Sequence, residues 1–459
     1  MKTQYDCIVI GGGLSGLQAA RSLRDQNKTV LVLEARDRFG GRTESLEVDG
    51  YWFDLGGQWM GGTHTHLRKL CDELGIKTFE QYDEGKHVLE LNGKKIYYEG
   101  NISSLNTSKY SLAGLEDAIA LVDKLADTID TKAPHKHPRA HEWDHMTVQH
   151  WTTLNIKDVE AKNIIDWFVK VCLAADPSEV SFLWFLLFIK AAGNYGLLAD
   201  IRGGAQERRM IGGSQQISER LAEKVGLQYC KLNSPIKSIH QDGSGCQVTN
   251  DKGVTFHSKF VIVTVPPPLA GRIEYRPLMP PERDELTQRL PMGTVIKTIA
   301  IYDEPFWRQD GYSAEALSDK GPIYICYDDS SHDDKKTAIV GFIAGGPAKE
   351  WGRKTPEERK QAVLECYARW WGPRALKPKY FLEKYWKNDE YARGCYVSYA
   401  GPGVLESCAG ALRNPVGRIH WAGTETASIW IGYMEGALES GERAASEVVE
   451  RLKSSTSKY

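Results

Sequence analysis

The stretch D-C-I-V-I-G-G-G-L-S-G-L-Q-A-A, residues 6–20, limits what this chain can fold into more than any other. A short apolar run of β type passes through G-x-G-x-x-G, filled by Gly11, Gly13 and Gly16, into a helical pattern at Leu14. Glycine serves there for a tight turn, for close backbone approach to a pyrophosphate, and for packing helix against strand. The free N–H groups of the helix N-terminus, where Ser15 stands, then face the phosphates. A second apolar run, T-V-L-V-L, ends at Glu34, whose carboxylate can accept from a ribose 2′-hydroxyl. A lone glycine motif is weak evidence. Strand, motif, helix and acid in this order predict dinucleotide binding on a parallel sheet.

At 459 residues the chain is long for one core, and two domains are expected. A composition of 41% apolar and 26% charged residues is that of an ordinary globular protein. The formal net charge of -2 gives no case for nucleic acid as a partner. Nine cysteines without framework spacing suggest reduced thiols and a cytoplasmic setting. The most apolar run, F-L-W-F-L-L-F-I at 182–189, is far short of the roughly 20 residues of a membrane span, so a buried helix is expected.

The segment E-A-R-D-R-F-G-G-R-T at 34–43 holds a second glycine-rich bend with a cation, and D-L-G-G-Q-W follows at 54–59. Near the other end lie R-G-C-Y-V-S-Y from Arg393 and R-I-H-W-A-G-T-E-T-A-S-I-W-I-G-Y-M-E-G-A at 418–437. The latter reads as an apolar strand, a Gly/Thr turn and a helix start. Together these segments resemble the flavin-containing monoamine oxidases, FAD-dependent amine oxidases, and the resemblance runs on through G-G-A-Q-E-R-R (203–209) and R-L-P-M-G-T-V-I-K (289–297).

The resemblance implies an α/β fold: a Rossmann-like FAD domain of the glutathione-reductase-like type, discontinuous over 1–80, 206–285 and 390–459. A mixed α+β substrate domain would occupy 81–205 and 286–389. It implies FAD held by Gly11, Gly13, Ser15, Gly16, Glu34, Arg36, Gly41, Arg42, Gly57, Gly423, Thr424, Glu425, Thr426 and Met434, with Cys395 as covalent anchor through a thioether. Tyr396 and Tyr433 would flank the amine before the flavin, and Lys297 would hold a water and assist reaction with oxygen. Gln206 would orient substrate in a largely apolar pocket of Trp59, Val171, Cys172, Phe188, Leu198, Ala199, Ile325 and Phe342. Trp59 stands where the family has a tyrosine and Ala199 where it has a bulkier aliphatic gate, which leaves the substrate range open.

The implied reaction is oxidative deamination of primary aryl or alkyl monoamines by O2 to aldehyde, ammonia and hydrogen peroxide. A polyamine or L-amino-acid oxidase of the same fold is the alternative, and a low-turnover flavin-bearing interaction protein a further one. No pair of carboxylates for a diamine, and no arginine for an α-carboxylate, stands out. H-E-W-D-H at 141–145 spells H-E-x-x-H, a zinc pattern on a helix, but Pro134 and Pro138 break the lead-in. A solvent-facing histidine cluster and no metal are expected. D-D-S-S-H-D-D-K-K at 328–336 reads as a solvated loop, and 81–205 as helical. The last residues, K-S-S-T-S-K-Y, carry no apolar tail, so no membrane anchor is expected, and S-K-Y is one residue from a peroxisomal address. Homo-oligomer formation is left open.

Overall fold

The computed structural model describes residues 4–101 and 113–456; the terminal S-K-Y lies outside them. Strand Gln4–Ile10 leads through the glycine turn into helix Leu14–Asp25, and Val30–Leu33 follows as its parallel neighbour. Gly16 fixes this crossing: a Cβ there would lie 2.0 Å from the carbonyl oxygen of Gly11, so only glycine lets the helix start so close to the strand. The strands form one sheet in the order Cys230–Lys231, Val30–Leu33, Gln4–Ile10, Thr255–Val263, Cys246–Asn250, Ile236–Gln241, Glu274–Arg276, with Ile419–Trp421 also paired to Thr255–Val263. Chain segments more than 400 residues apart in sequence meet here, because the last helix, Met434–Thr456, packs on the first. Gly441 permits it: a Cβ would come within 2.3 Å of the Ser15 carbonyl oxygen.

A second sheet of seven strands runs Tyr380–Tyr385, Val295–Tyr302, Thr337–Ala344, Ile325–Asp328, Tyr312–Ser318, Lys86–Leu91, Lys94–Tyr98. Its central strands are buried along their whole length, which accounts for their near-continuous apolar sequences. The hairpin Lys86–Leu91/Lys94–Tyr98 corrects the expectation that 81–205 is helical. Asn92 and Gly93 carry its turn at φ 51° and 75°, left-handed values that an Asn-Gly pair adopts readily. Helices do dominate from residue 113 to 199, and Phe182–Ala192, capped by Ser181, is buried as expected. Among the described residues no helix is long and apolar enough to cross a membrane, and all nine cysteines are free.

The stretch 328–336 also departs from expectation. Asp328, Asp329 and Ser330 are buried, and only 332–335 are exposed. The reason is charge pairing: Arg308 and the Trp307 indole donate to Asp328, and Arg209 to Asp329. Buried carboxylates persist when paired in this way.

Candidate active site

One cavity connects the glycine turns of the first sheet to the inner face of the second. Gly11, Gly13, Ser15, Glu34, Arg36, Gly41, Arg42 and Gly57 line one part, joined by Gly423, Thr424 and Met434 from the opposite end of the chain. Trp59, Val171, Cys172, Phe188, Leu198, Ala199, Gln206, Ile325 and Phe342 line the other, together with Tyr396 and Tyr433, and Cys395 is part of the same wall. Four expected residues do not line it. Gly16 packs under the turn, Glu425 and Thr426 stand behind the wall, and Lys297 lies one layer back.

The dinucleotide end is held open by small residues. At Gly13, Gly41 and Gly57 an added Cβ would meet nothing closer than 3.4 Å, so side chains at these positions would fill the cavity itself. The Glu34 carboxylate accepts from the amides of Gly12 at 2.5 Å and Arg36 at 2.8 Å, which aims it at the cavity. Ser15 Oγ accepts from Gly423 N at 2.9 Å and lies 3.0 Å from Ser440 Oγ, tying the first helix to the last. An elongated cradle of glycines, a helix N-terminus and an aimed carboxylate fit a dinucleotide.

Arg42 joins the parts. It donates twice to Glu425, at 2.6 and 3.0 Å, and once to the Tyr396 carbonyl at 2.9 Å, while Ser398 N donates to the same carboxylate. Burial works against the Arg42 charge, but Glu425 outweighs it and the guanidinium is held above its ordinary range. Replacing Glu425 by alanine therefore leaves a desolvated cation and is expected to cost about 3 kcal/mol. Denaturant unfolding checks this, and loss of less than about 0.5 kcal/mol would contradict the pairing argument.

Lys297 is 2% exposed. Its Nζ donates to Gly56 O at 2.9 Å and to Gln58 Oε1, and it sits 5.6 Å from both the Trp59 and Phe342 rings. Burial lowers its pKa to about 8 against the pull of Asp329 and Asp54. Gln58 in turn donates to Asp329 at 3.0 Å, and Asp329 accepts from Arg209. Gln58 lines the cavity, so this buried chain reaches it. Gln58 lies within D-L-G-G-Q-W but carries no signal of its own there; Asp329 and Arg209 meet only through folding.

The far part is walled by rings. Trp59 packs on Tyr327 at 5.4 Å and Phe342 at 5.8 Å, with its indole N–H fixed by Gln81 at 2.9 Å. Tyr396 meets Phe342 at 6.1 Å, and Tyr433 meets Trp430 at 5.0 Å. Burial holds both tyrosine hydroxyls protonated, well above the ordinary range. Gln206 donates to Leu198 O at 3.4 Å, and its Oε1 is buried without a protein partner. Burial pushes the Cys395 thiol up to about 12, with Arg42 opposing. Thr264, Val265 and Pro266, after strand Thr255–Val263, also line the cavity, as does Glu315; none carried a sequence signal of its own.

The H-E-x-x-H histidines are elsewhere. His141 and His145 are exposed on and just past helix Ala140–Asp144, with Glu406 at 3.0 and 3.3 Å, and none of the three lines the cavity. The ligand atoms of these three residues lie within 4.8 Å of one another.

A family model described as flavin containing amine oxidoreductase matches residues 14–449. The chain is 64% identical over 452 residues to the "Probable flavin-containing monoamine oxidase A" of Dictyostelium discoideum, covering 98% of this chain and 99% of that one. It is 37% identical over 456 residues to "Amine oxidase [flavin-containing] B" of Sus scrofa, covering 98% and 87%. Among solved structures, cyclohexylamine oxidase from Brevibacterium oxydans superposes with a TM-score of 0.94 at 33% identity, over 98% of this chain and 100% of that one. Wild-type putrescine oxidase bound to putrescine gives 0.93 at 34% identity, over the same shares.

Proposed function

Given that the chain belongs to the flavin-containing amine oxidoreductase family and is a flavin-dependent amine oxidase of α/β fold, we propose that it deaminates primary aryl or alkyl monoamines, using FAD tethered through Cys395. The observation that carries this reading is the continuity of the cavity from the glycine cradle to the ring-walled pocket, with Cys395 and Tyr396 adjacent in its wall. The likeness to monoamine oxidases over nearly the whole chain supports it.

FAD, when bound, supplies the two-electron acceptor for the amine's α C–H bond, and the chain supplies everything that places that bond. Gly11, Gly13, Ser15 and Glu34 would hold the adenosine and pyrophosphate part, with Gly41, Arg42, Gly57, Thr424 and Met434 toward the flavin. Tyr396 and Tyr433 present π faces to the amine, a surface that attracts a cation or a polarised neutral amine. Trp59, Phe342 and Ile325 exclude water around the tail, and Gln206 has a free acceptor with which to orient the substrate. The imine formed then hydrolyses to aldehyde and ammonia, and oxygen leaves as hydrogen peroxide.

Replacing Tyr433 by leucine is expected to lower kcat/KM for benzylamine about tenfold, the worth of one π face toward a partly desolvated ammonium. The reading as a whole is tested by product stoichiometry in air. One aldehyde, one ammonia and one hydrogen peroxide per amine consumed are expected; an amine consumed without peroxide would overturn it.

A further inference from the structure

Glu315 is a buried carboxyl in the wall of the substrate cavity, and the groups that touch it are neutral. Tyr98 Oη donates to Oε1 at 2.8 Å, and the Glu315 amide donates to Ser313 Oγ at 3.0 Å. His87 Nδ1 stands 3.5 Å from Oε2 and is itself 2.6 Å from Ser313 Oγ. Burial lowers the pKa of His87 to about 4, so it stays uncharged beside the carboxyl. Arg202, whose charge acts on His87, is committed to Asp83 by two bonds of 2.7 Å. Asp83 and Asp200, the charged groups that act on Glu315, are themselves acidic. Burial, with these two acids adding and the Tyr98 bond opposing, raises the Glu315 pKa to about 8.

A carboxyl kept in an apolar wall without a cation is expensive to ionise, and the residues around it, Leu317, Ile325 and Tyr327, do nothing to offset that. A cation brought in through the cavity, which Glu315 lines, would supply the missing charge. The sheet register says how far it would be from the reacting end. Phe342, against the Tyr396 ring, pairs with Ile325, and Ile325 pairs with Leu317, two residues along the same face from Glu315. Two strand spacings of about 4.8 Å reach Leu317, and two residues of about 3.3 Å each along its strand put Glu315 roughly 12 Å from the Phe342 position.

We propose that Glu315 anchors a distal ammonium, so that among primary amines this site favours long α,ω-diamines, one end at Tyr396 and Tyr433 and the other at Glu315. The inference rests on the amine-oxidase reading of the same cavity, in which monoamines remain substrates and long diamines are the better ones. On binding, the carboxyl proton goes to solvent and the diamine's far ammonium takes its place, so the charge in the wall is balanced. A four-carbon diamine is too short to span the two positions.

The test compares heptylamine, heptane-α,ω-diamine and butane-α,ω-diamine as substrates of the holoenzyme and its Glu315→Gln variant. The ratio of kcat/KM for heptane-diamine over heptylamine is read within each protein, so a general loss in the variant cancels. In the parent this ratio is expected to be about tenfold, the worth of one charge-assisted bond. It should be carried by KM and grow as pH rises through about 8. In the variant it should fall to near one and lose its pH dependence, and in the parent butane-diamine should gain far less. A parent that oxidises heptylamine without gaining from the second ammonium overturns the inference and leaves the amine-oxidase reading standing. So does a variant that keeps the ratio. A protein that oxidises none of the three overturns both.

Discussion

Cysteine 395 replaced by alanine is expected to turn a flavin that stays with the denatured polypeptide into one that is released. After acid precipitation the parent pellet should remain yellow, whereas Cys395→Ala should leave its flavin in the supernatant. The thiol lies in the cavity wall, next in sequence to Tyr396 and on the segment that Arg42 ties to Glu425. Its surroundings argue against other duties. It is buried, and burial raises its pKa to about 12, so it is a poor free nucleophile toward a diffusing substrate. A bound partner held permanently against it removes that difficulty, because proximity replaces reactivity. Arg42, and more weakly Arg36, oppose the upward shift and so favour the thiolate during attachment. Flavin that resists extraction from Cys395→Ala would show that the tether is elsewhere.

Lysine 297 replaced by methionine should separate the two halves of the catalytic cycle. Anaerobic reduction by amine should change by no more than a few-fold, since Lys297 lies behind Gly56 and Gln58 and not in the wall that meets the amine tail. Reoxidation by oxygen should slow by about a hundredfold, the usual loss when a preorganised charge is removed from a developing anion. With a pKa near 8, Lys297 is protonated below that pH and neutral above it. Reoxidation in the parent should therefore fall as pH rises through about 8, and the variant should show no such step. Stability carries the same signature with the opposite slope. The folded pKa is depressed from 10.5, so between about 8 and 10.5 the unfolded chain binds more protons, and stability rises with pH relative to the methionine variant. Equal slowing of both half-reactions would contradict this assignment.

Much of the site was visible in the sequence because its parts are local. A glycine turn between strand and helix needs only a few consecutive residues, and Gly11 to Glu34 could be read directly. Cys395 and Tyr396, or Gly423 and Thr424, belong to continuous segments of the same kind. What escaped are groups whose meaning comes from long-range pairing. Asp328 and Asp329 sit in a stretch rich in charge and serine, which composition assigns to solvent; Arg308 and Arg209 draw them inside. The Asn92-Gly93 turn of the hairpin is a local signal, but the helical character of the residues after it outweighs it in the segment. Glu315 looks in sequence like any alternating strand residue. Only the register of Tyr312–Ser318 against Ile325–Asp328 turns it toward the cavity.

The most direct measurement is an anaerobic titration of the yellow protein with benzylamine, followed by the visible absorbance of the flavin. A cavity that joins the glycine cradle to the ring-walled pocket predicts stoichiometric bleaching, one amine per flavin, with colour returning when air is admitted. Colour that persists against benzylamine and every other primary amine offered would contradict the account.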